Sequence, residues 1–219
     1  MDSEASQRLH VNIVYDGTPH SGKTTTLRSL GRLFGREVET PEERDGRTIY
    51  FDWLDHVGGR FEGQPIHCRI VAVPGQTVFA RRRKQILAGA DSVVFVADTS
   101  HAGLEPSRTR FIALQENLAS LGRSIPIVTQ LNKRDAVDAV DLERAHASFE
   151  GASARMLETV ATTGTGVREA MVLAVGEAIR TLVPEASRRK LLGLREHDLG
   201  SPHGLFERLI VGPPRKEEL

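Results

Sequence analysis

Short apolar runs and apolar stripes at helical spacing alternate along this chain. Runs rich in β-branched residues predict strands at residues 9–15, 48–54, 66–73, 92–97, 125–131 and 155–159. Apolar positions three and four residues apart predict helices at residues 24–34, 79–90, 106–121, 141–149 and 167–182. This alternation predicts an α/β fold with a mostly parallel, doubly wound central sheet between two layers of helices.

The pattern also indicates which residues face the core and where it is interrupted. The apolar stripe of the first predicted helix consists of Leu27, Leu30, Leu33 and Phe34. Residues 35–47 are charged and turn-rich, which predicts a loop. The glycines within residues 56–64 predict a turn between two strands. A basic run at residues 81–84, near the start of the second helix, is expected to be a solvated face that could dock a partner.

We expect one domain over residues 8–183, preceded by a flexible polar N-terminus at residues 1–7. It is followed by an extension at residues 184–219 that contains two short amphipathic segments. These segments could pack on the domain itself, bind a partner protein or contact acidic lipid.

Composition narrows the functional classes. The chain balances 29 Lys and Arg against 29 Asp and Glu, which argues against a non-specific nucleic-acid binder. Its single cysteine, Cys68, excludes an internal disulfide, fits a reducing cytoplasm and is expected to be a buried small hydrophobe. No apolar run reaches the length of a membrane span, so stable membrane insertion is not expected.

The strongest chemical signal follows the first predicted strand. Gly17 and Gly22, separated by four residues and followed by Lys23 and Thr24, match the phosphate-binding loop pattern. The glycines let backbone N–H groups turn around phosphate oxygens, Lys23 reaches the β- and γ-phosphates, and the Thr24 hydroxyl can ligate Mg²⁺. The predicted nucleotide-binding residues here are Gly17, Thr18, His20, Ser21, Gly22, Lys23, Thr24 and Thr25. An ordinary turn before a helix is the weaker alternative.

A second motif, Asn-Lys-Arg-Asp, directly follows the predicted strand at residues 125–131. The carboxylate of Asp135 can accept hydrogen bonds from N1–H and the C2 amino group of guanine, whereas adenine would leave it facing a lone pair. Asn132 and Lys133 are expected to brace the base and the phosphate loop. Backbone N–H groups of the turn at Ala161 and Thr162 are expected to contact guanine O6, although an ordinary strand-to-helix turn is nearly as good an interpretation.

Two further segments are candidate switches. Thr48 could place its hydroxyl on Mg²⁺ and its N–H on the γ-phosphate, a contact that exists only in the triphosphate state. In the Val-Pro-Gly-Gln segment, Gly75 would donate to the γ-phosphate and Gln76 would orient the attacking water. Without the other motifs, this segment would be interpreted simply as a turn.

Together these motifs resemble the bacterial MglA family of Ras-like polarity GTPases, over nearly the whole domain. The matching segments are Lys-Thr-Thr at 23–25, Arg-Thr at 47–48 before Phe-Asp at 51–52, Val-Pro-Gly-Gln at 73–76, Val-Phe-Val-Ala-Asp at 94–98, Asn-Lys-Arg-Asp at 132–135 and the Ala-Thr-x-Gly turn at 161–164.

The resemblance implies a three-layer, Ras-like P-loop NTPase domain that hydrolyses GTP to GDP slowly, with Mg²⁺ as cofactor. Lys23, Gln76 and Arg47 would be its catalytic residues, Arg47 as an intrinsic arginine, with a solvated loop charge as the weaker interpretation of Arg47. The resemblance also implies a Roadblock/LC7 (MglB-like) activating partner, an effector that the sequence does not name, and a cytoplasmic role in cell polarity or motility with recruitment to a pole or membrane.

The sequence departs from the Ras-like pattern at three positions, Ala72, Pro19 and His20. Ala72 stands where such proteins keep an aspartate that supports Mg²⁺, so Thr24, Thr48 and, as a substitute, Asp52 are the predicted metal residues. Pro19 has no N–H to donate, and its ring could crowd the γ-phosphate and slow hydrolysis. A GTP-binding scaffold with negligible turnover is therefore an alternative. A P-loop nucleotide or sugar kinase fits less well, because it needs no guanine-reading motif.

Overall fold

The structure is a computed structural model that describes residues 9–40, 43–44, 47–48, 51–61, 64–74, 80–150 and 155–182. Its strands are β1 (Leu9–Asp16), β2 (Glu43–Arg44), β3 (Arg47–Thr48), β4 (Asp52–Phe61), β5 (Gln64–Ala72), β6 (Ser92–Asp98), β7 (Ile127–Asn132) and β8 (Arg155–Glu158). Its helices are α1 (Lys23–Phe34), α2 (Ala80–Ala88), α3 (Leu104–Ala119), α4 (Leu142–Ala147) and α5 (Val167–Leu182).

Six strands form one sheet in the order β4-β5-β1-β6-β7-β8. Every pair in it is parallel except β4 with β5, so the antiparallel strand lies at an edge. β2 and β3 form a separate two-stranded antiparallel hairpin. Because β1 lies inside the sheet, the phosphate loop that follows it starts from the middle of the carboxyl edge, where ligands of such folds bind.

Alternating side chains of the strands build a core on each face of the sheet. One core joins Val11 and Ile13 of β1 to α1 and α5, and the other joins Val14 of β1 to α2, α3 and α4. Phe95 and Phe111 meet edge to face in the second core, with ring centroids 4.9 Å apart. The predicted three-layer, mostly parallel α/β fold is therefore confirmed.

One predicted core position is wrong. Leu27 and Leu30 of α1 are fully buried, but Leu33 is 52% exposed. At the α-helical spacing, Leu33 lies about 120° around the axis from Leu27, while Phe34 lies nearly above it. Phe34 accordingly packs against the core, and Leu33 points away.

The predicted turn into the next strand falls at the end of residues 56–64, because β4 and β5 pair antiparallel with Phe61 opposite Gln64. β4 continues through this segment to Phe61, and its pairing with β5 shifts register between Val57 and Arg60. The two intervening glycines therefore accommodate a β-bulge rather than a chain reversal. The predicted loop at residues 35–47 contains β2 and a bridge from Glu39 to Trp53.

Cys68 is buried in β5, and burial raises the pKa of its thiol to about 12, which confirms its expected role as a small core residue. No helix in the described part of the chain combines the length and apolar character needed to cross a membrane. The predicted N-terminal segment at residues 1–7 and the extension at residues 184–219 lie outside the described residues.

Candidate nucleotide-binding site

The phosphate loop connects β1 to α1 in a conformation that requires its glycines. Gly17 and Gly22 have φ values of 155° and 108°, and a β-carbon on Gly17 would collide with the carbonyl of Val96. A β-carbon on Gly22 would collide with the side-chain amide of Asn132. The loop is thus packed directly against β6 and against the end of β7.

Lys23 lies across this loop. Its ammonium donates to the carbonyl oxygens of Thr18 at 2.6 Å and Gly17 at 3.1 Å, and the residue is only 7% exposed. Burial lowers the pKa of Lys23 to about 8, with Asp16 opposing this shift and the nearby arginines adding to it. A phosphate group beside this ammonium would favour its charged form.

The next residue, Thr24, joins α1 to the edge strand β4. Its hydroxyl donates to the carboxylate of Asp52 at 2.6 Å, so two of the three predicted metal residues are in direct contact. Hydroxyl and carboxylate oxygens are ligands that suit Mg²⁺, which is commonly held by one or two such groups together with substrate phosphates. The donor set therefore fits a magnesium ion bound with a nucleotide.

On the other side of the site, Asn132 connects three segments. Its side-chain NH₂ donates to the carbonyl of Ser21 in the phosphate loop at 2.8 Å. Its side-chain oxygen accepts from the Thr159 hydroxyl at 3.1 Å and from the N–H of Ala161 at 3.0 Å. The predicted bracing role of Asn132 thus has a geometric basis, since one buried amide ties the phosphate loop to the turn after β8.

The neighbouring residues of this motif make contacts that the sequence did not predict. Lys133, at φ 65°, places its ammonium 2.6 Å from the carboxylate of Asp98. Asp135 is exposed, and its carboxylate accepts from the Thr162 hydroxyl at 3.5 Å. The N–H of Ala161, one of the two predicted donors to guanine O6, is bonded to the side-chain oxygen of Asn132.

The structure describes the predicted switches only in part. Arg47 and Thr48 form β3, opposite Arg44 and Glu43 of β2, and only their backbone is described. The expected glycine and glutamine of the second switch, Gly75 and Gln76, lie outside the described residues.

The sequence analysis missed a charged cluster below the phosphate loop. Asp16, the last residue of β1, is fully buried and accepts from Arg110 of α3. Arg83, expected on a solvated face, is buried beside it, whereas Arg81 and Lys84 of the same helix are exposed. An aspartate directly after the apolar residues 13–15 of β1 was the available signal, because a buried carboxylate requires partners.

A doubly wound sheet, a phosphate loop after a central strand and an Asn-Lys-x-Asp motif bonded to that loop define a small GTPase. No protein-family model matches the chain. The chain is 34% identical to the mutual gliding-motility protein MglA of Myxococcus xanthus (strain DK1622), over 74% of this chain and 87% of that protein. It is 29% identical to ADP-ribosylation factor-like protein 6 of Caenorhabditis elegans, over 74% of this chain and 83% of that protein. The chain belongs to the MglA family of Ras-like small GTPases.

Proposed function

We propose that this protein is a molecular switch that binds GTP and hydrolyses it to GDP and phosphate, in the control of bacterial cell polarity or motility. The observation that carries the proposal is the bridge from Asn132 to Ser21 and Ala161. This bridge joins the phosphate loop to the guanine motif. A site that binds the base and the phosphates of one nucleotide requires such a connection. The polarity or motility role draws on the name of the Myxococcus relative.

In this proposal each end of the nucleotide has its own residues. Asp135 accepts from the guanine base, and the N–H of Thr162 donates to O6. Lys23 and the backbone of the phosphate loop, with Thr25 at the start of α1, hold the phosphates. Lys133 packs beside the base while its ammonium stays on Asp98.

Thr24, Thr48 and Asp52 would hold Mg²⁺, which when bound neutralises charge on the β- and γ-phosphates. The Asp52 carboxylate already accepts the Thr24 hydroxyl, and this contact supports Asp52 as a replacement for the aspartate absent at Ala72. Gly75 would donate its N–H to the γ-phosphate.

For hydrolysis we propose that Gln76 orients the attacking water and that Arg47 supplies positive charge to the transition state. Unaided turnover would be slow, since an arginine supplied by the same chain is associated with rates of about 10⁻² s⁻¹. A Roadblock/LC7 (MglB-like) partner would accelerate it by ordering the switches, and a separate effector would bind the GTP form. We place the protein in the cytoplasm, recruited to a pole or membrane through partners.

A GTP-binding scaffold with negligible turnover is the second candidate. Pro19 supports it, because this residue lies within the turn of the phosphate loop and has no N–H for a phosphate oxygen. Ala72 supports it as well, since its methyl group cannot assist a metal ion. The two candidates agree on binding and differ only in turnover.

Base recognition is tested by Asp135→Asn, with Asp138→Asn as the matched control because Asp138 is an exposed aspartate in the same loop. We expect Asp135→Asn to lower GDP affinity about a hundredfold, since two hydrogen bonds to a charged acceptor are lost. It should also gain affinity for xanthosine diphosphate, whose C2 carbonyl can accept from the new amide. Equal losses in both variants, or tight binding of ATP by the wild type, would contradict the guanine assignment.

Turnover is tested by single-turnover GTP hydrolysis with Mg²⁺, with and without a Roadblock partner. We expect slow hydrolysis alone and faster hydrolysis with the partner. Arg47→Ala should remove most of the stimulation, and an unchanged stimulated rate would eliminate Arg47 as a catalytic residue. No turnover under either condition would favour the scaffold.

A further inference from the structure

The charged cluster below the phosphate loop contains Asp16, Arg83 and Arg110. The carboxylate of Asp16 accepts from the N–H of Gly17 at 2.6 Å and from the guanidinium of Arg110 at 2.7 and 2.8 Å. Both carboxylate oxygens therefore bind Arg110, and one of them also fixes the first residue of the phosphate loop. This arrangement satisfies the buried charge of Asp16 without a further cation.

A second arginine nevertheless lies in the same cluster. The Nε atom of Arg83, on α2, is 3.9 Å from Asp16, and its side chain is only 4% exposed. Its Nη2 atom donates to the carbonyl oxygen of Pro74 at 2.5 Å. Pro74 immediately precedes Gly75 and Gln76 in the sequence. Arg83 thus connects three features: the helix α2, the chain that enters the second proposed switch, and the base of the phosphate loop.

Arg83 brings a second buried guanidinium group to the carboxylate of Asp16. Burial, together with repulsion from Arg110, lowers the pKa of Arg83. Both arginines also lie close enough to the Lys23 ammonium to lower its pKa. Burying an extra cation is unfavourable unless it makes interactions that a smaller residue could not make. One such interaction is the bond from Arg83 to the carbonyl oxygen of Pro74.

We propose that Arg83 is a positioning residue for the second switch, which it holds against the phosphate loop by bonding the Pro74 carbonyl while resting on Asp16. The inference deepens the proposed GTPase function and rests on it. In this arrangement Asp16 links the two segments, because it accepts from the N–H of Gly17 and faces Arg83, which bonds the carbonyl oxygen of Pro74. Loss of Arg83 should weaken recognition of the γ-phosphate and the orientation of water, and leave the α- and β-phosphate contacts intact.

The test compares Arg83→Gln with Arg81→Ala, an exposed position of the same helix. Each protein is titrated with GDP and with a non-hydrolysable GTP analogue, and kcat and KM for GTP are measured. For Arg83→Gln we expect GDP affinity within about twofold of wild type, affinity for the analogue about tenfold lower, and a similar decrease in kcat. Arg81→Ala should behave as wild type. Arg83→Lys, which keeps the charge and one donor for the Pro74 carbonyl, should recover part of the analogue affinity.

The possible results distinguish a failure of the positioning role of Arg83 from a failure of the proposed GTPase function. Wild-type protein that binds no guanine nucleotide would overturn both. A second outcome is that the wild type binds and hydrolyses GTP, but Arg83→Gln lowers the GDP and analogue affinities equally or lowers neither. This outcome would overturn only the positioning role of Arg83. Thermal melting of the GDP complexes checks folding. If Arg83→Gln fails to fold, the Arg83→Lys variant is used for the test instead. If Arg83 has only a structural role, the ratio of analogue affinity to GDP affinity in Arg83→Lys should equal that of the wild type.

Discussion

The two ends of the candidate site are built from different kinds of interaction. At the base end, the buried neutral amide of Asn132 makes its hydrogen bonds to a backbone carbonyl, a backbone N–H and a hydroxyl. At the phosphate end, Asp16 lies among Lys23, Arg83 and Arg110, so positive charge exceeds negative charge within that cluster. Base recognition should therefore depend on geometry, and phosphate recognition on electrostatics.

The largest expected effect comes from removing the hydrogen bonds of Asn132 at the base end of the site. Asn132→Ala removes the partners of Ser21 and Ala161, which lie in the phosphate loop and the turn after β8. Leaving such buried groups unpaired should lower the free energy of unfolding by about 3 kcal/mol. Since both segments are proposed to contact the nucleotide, GDP affinity should fall more than a hundredfold. Denaturant unfolding and equilibrium titration measure the two effects.

The control for that change is Asn117→Ala. The amide of Asn117 donates to the carbonyl of Ala113, within its own helix α3. Its loss should lower stability by about 1 kcal/mol and leave nucleotide affinity unchanged. If Asn117→Ala reduces GDP affinity as strongly as Asn132→Ala, the bracing role of Asn132 is refuted.

A smaller effect is expected at the metal side of the phosphate end. Asp52→Asn keeps an acceptor for the Thr24 hydroxyl and removes the negative charge. We expect GTP affinity to fall about tenfold in the presence of Mg²⁺ and to remain unchanged in a chelator, because the carboxylate matters only when a cation is bound. Asp55→Asn, in the same strand but paired with Arg69 at the surface, is the control. A decrease of the same size in the chelator would contradict the assignment.

The smallest expected effect is a pH dependence of GDP affinity, which should arise from the phosphate end of the site alone. Free protein loses the Lys23 proton near pH 8, since burial lowers its pKa to about 8, whereas bound phosphates raise that pKa. The complex then binds more protons than the free protein, so affinity falls as pH rises through this range. Between pH 7.5 and 8.8 we expect GDP affinity to fall about fivefold.

Calorimetry in two buffers of different ionisation enthalpy measures the accompanying proton uptake. The Asp135→Asn variant provides the comparison, because it alters the base end and leaves Lys23 in place. It should bind GDP more weakly at every pH and show the same pH slope. A slope that disappears in this variant would place the titrating group at the base end.

The sequence predicted those features that depend on short patterns. The strand and helix alternation follows from side-chain period, and the phosphate loop follows from Gly17, Gly22 and Lys23, whose spacing directly reflects the required backbone. Asn132 could be assigned to the site because it follows a buried strand, although its three bonds could not be derived from the motif.

Features that depend on the meeting of distant segments were not predictable. The burial of Arg83 depends on α2 facing the end of β1, and nothing in its basic run distinguishes it from Arg81. The bulge in β4 depends on the pairing of β4 with β5. Because of this pairing, the strand continues through two glycines whose local preference indicated a turn. Leu33 was misplaced for a simpler reason, since it lies about 120° around the helix axis from Leu27 and so falls outside the buried stripe.

The Asn132–Ser21 bond has a consequence for how the protein is made. The two residues are 111 positions apart, and the turn that completes the base end follows at Ala161, a further 29 positions along. A nascent chain therefore exposes its phosphate loop long before the strand and turn that support it have left the ribosome. GTP therefore cannot make all of its proposed contacts, or stabilise the early strands, until most of the domain has been synthesised.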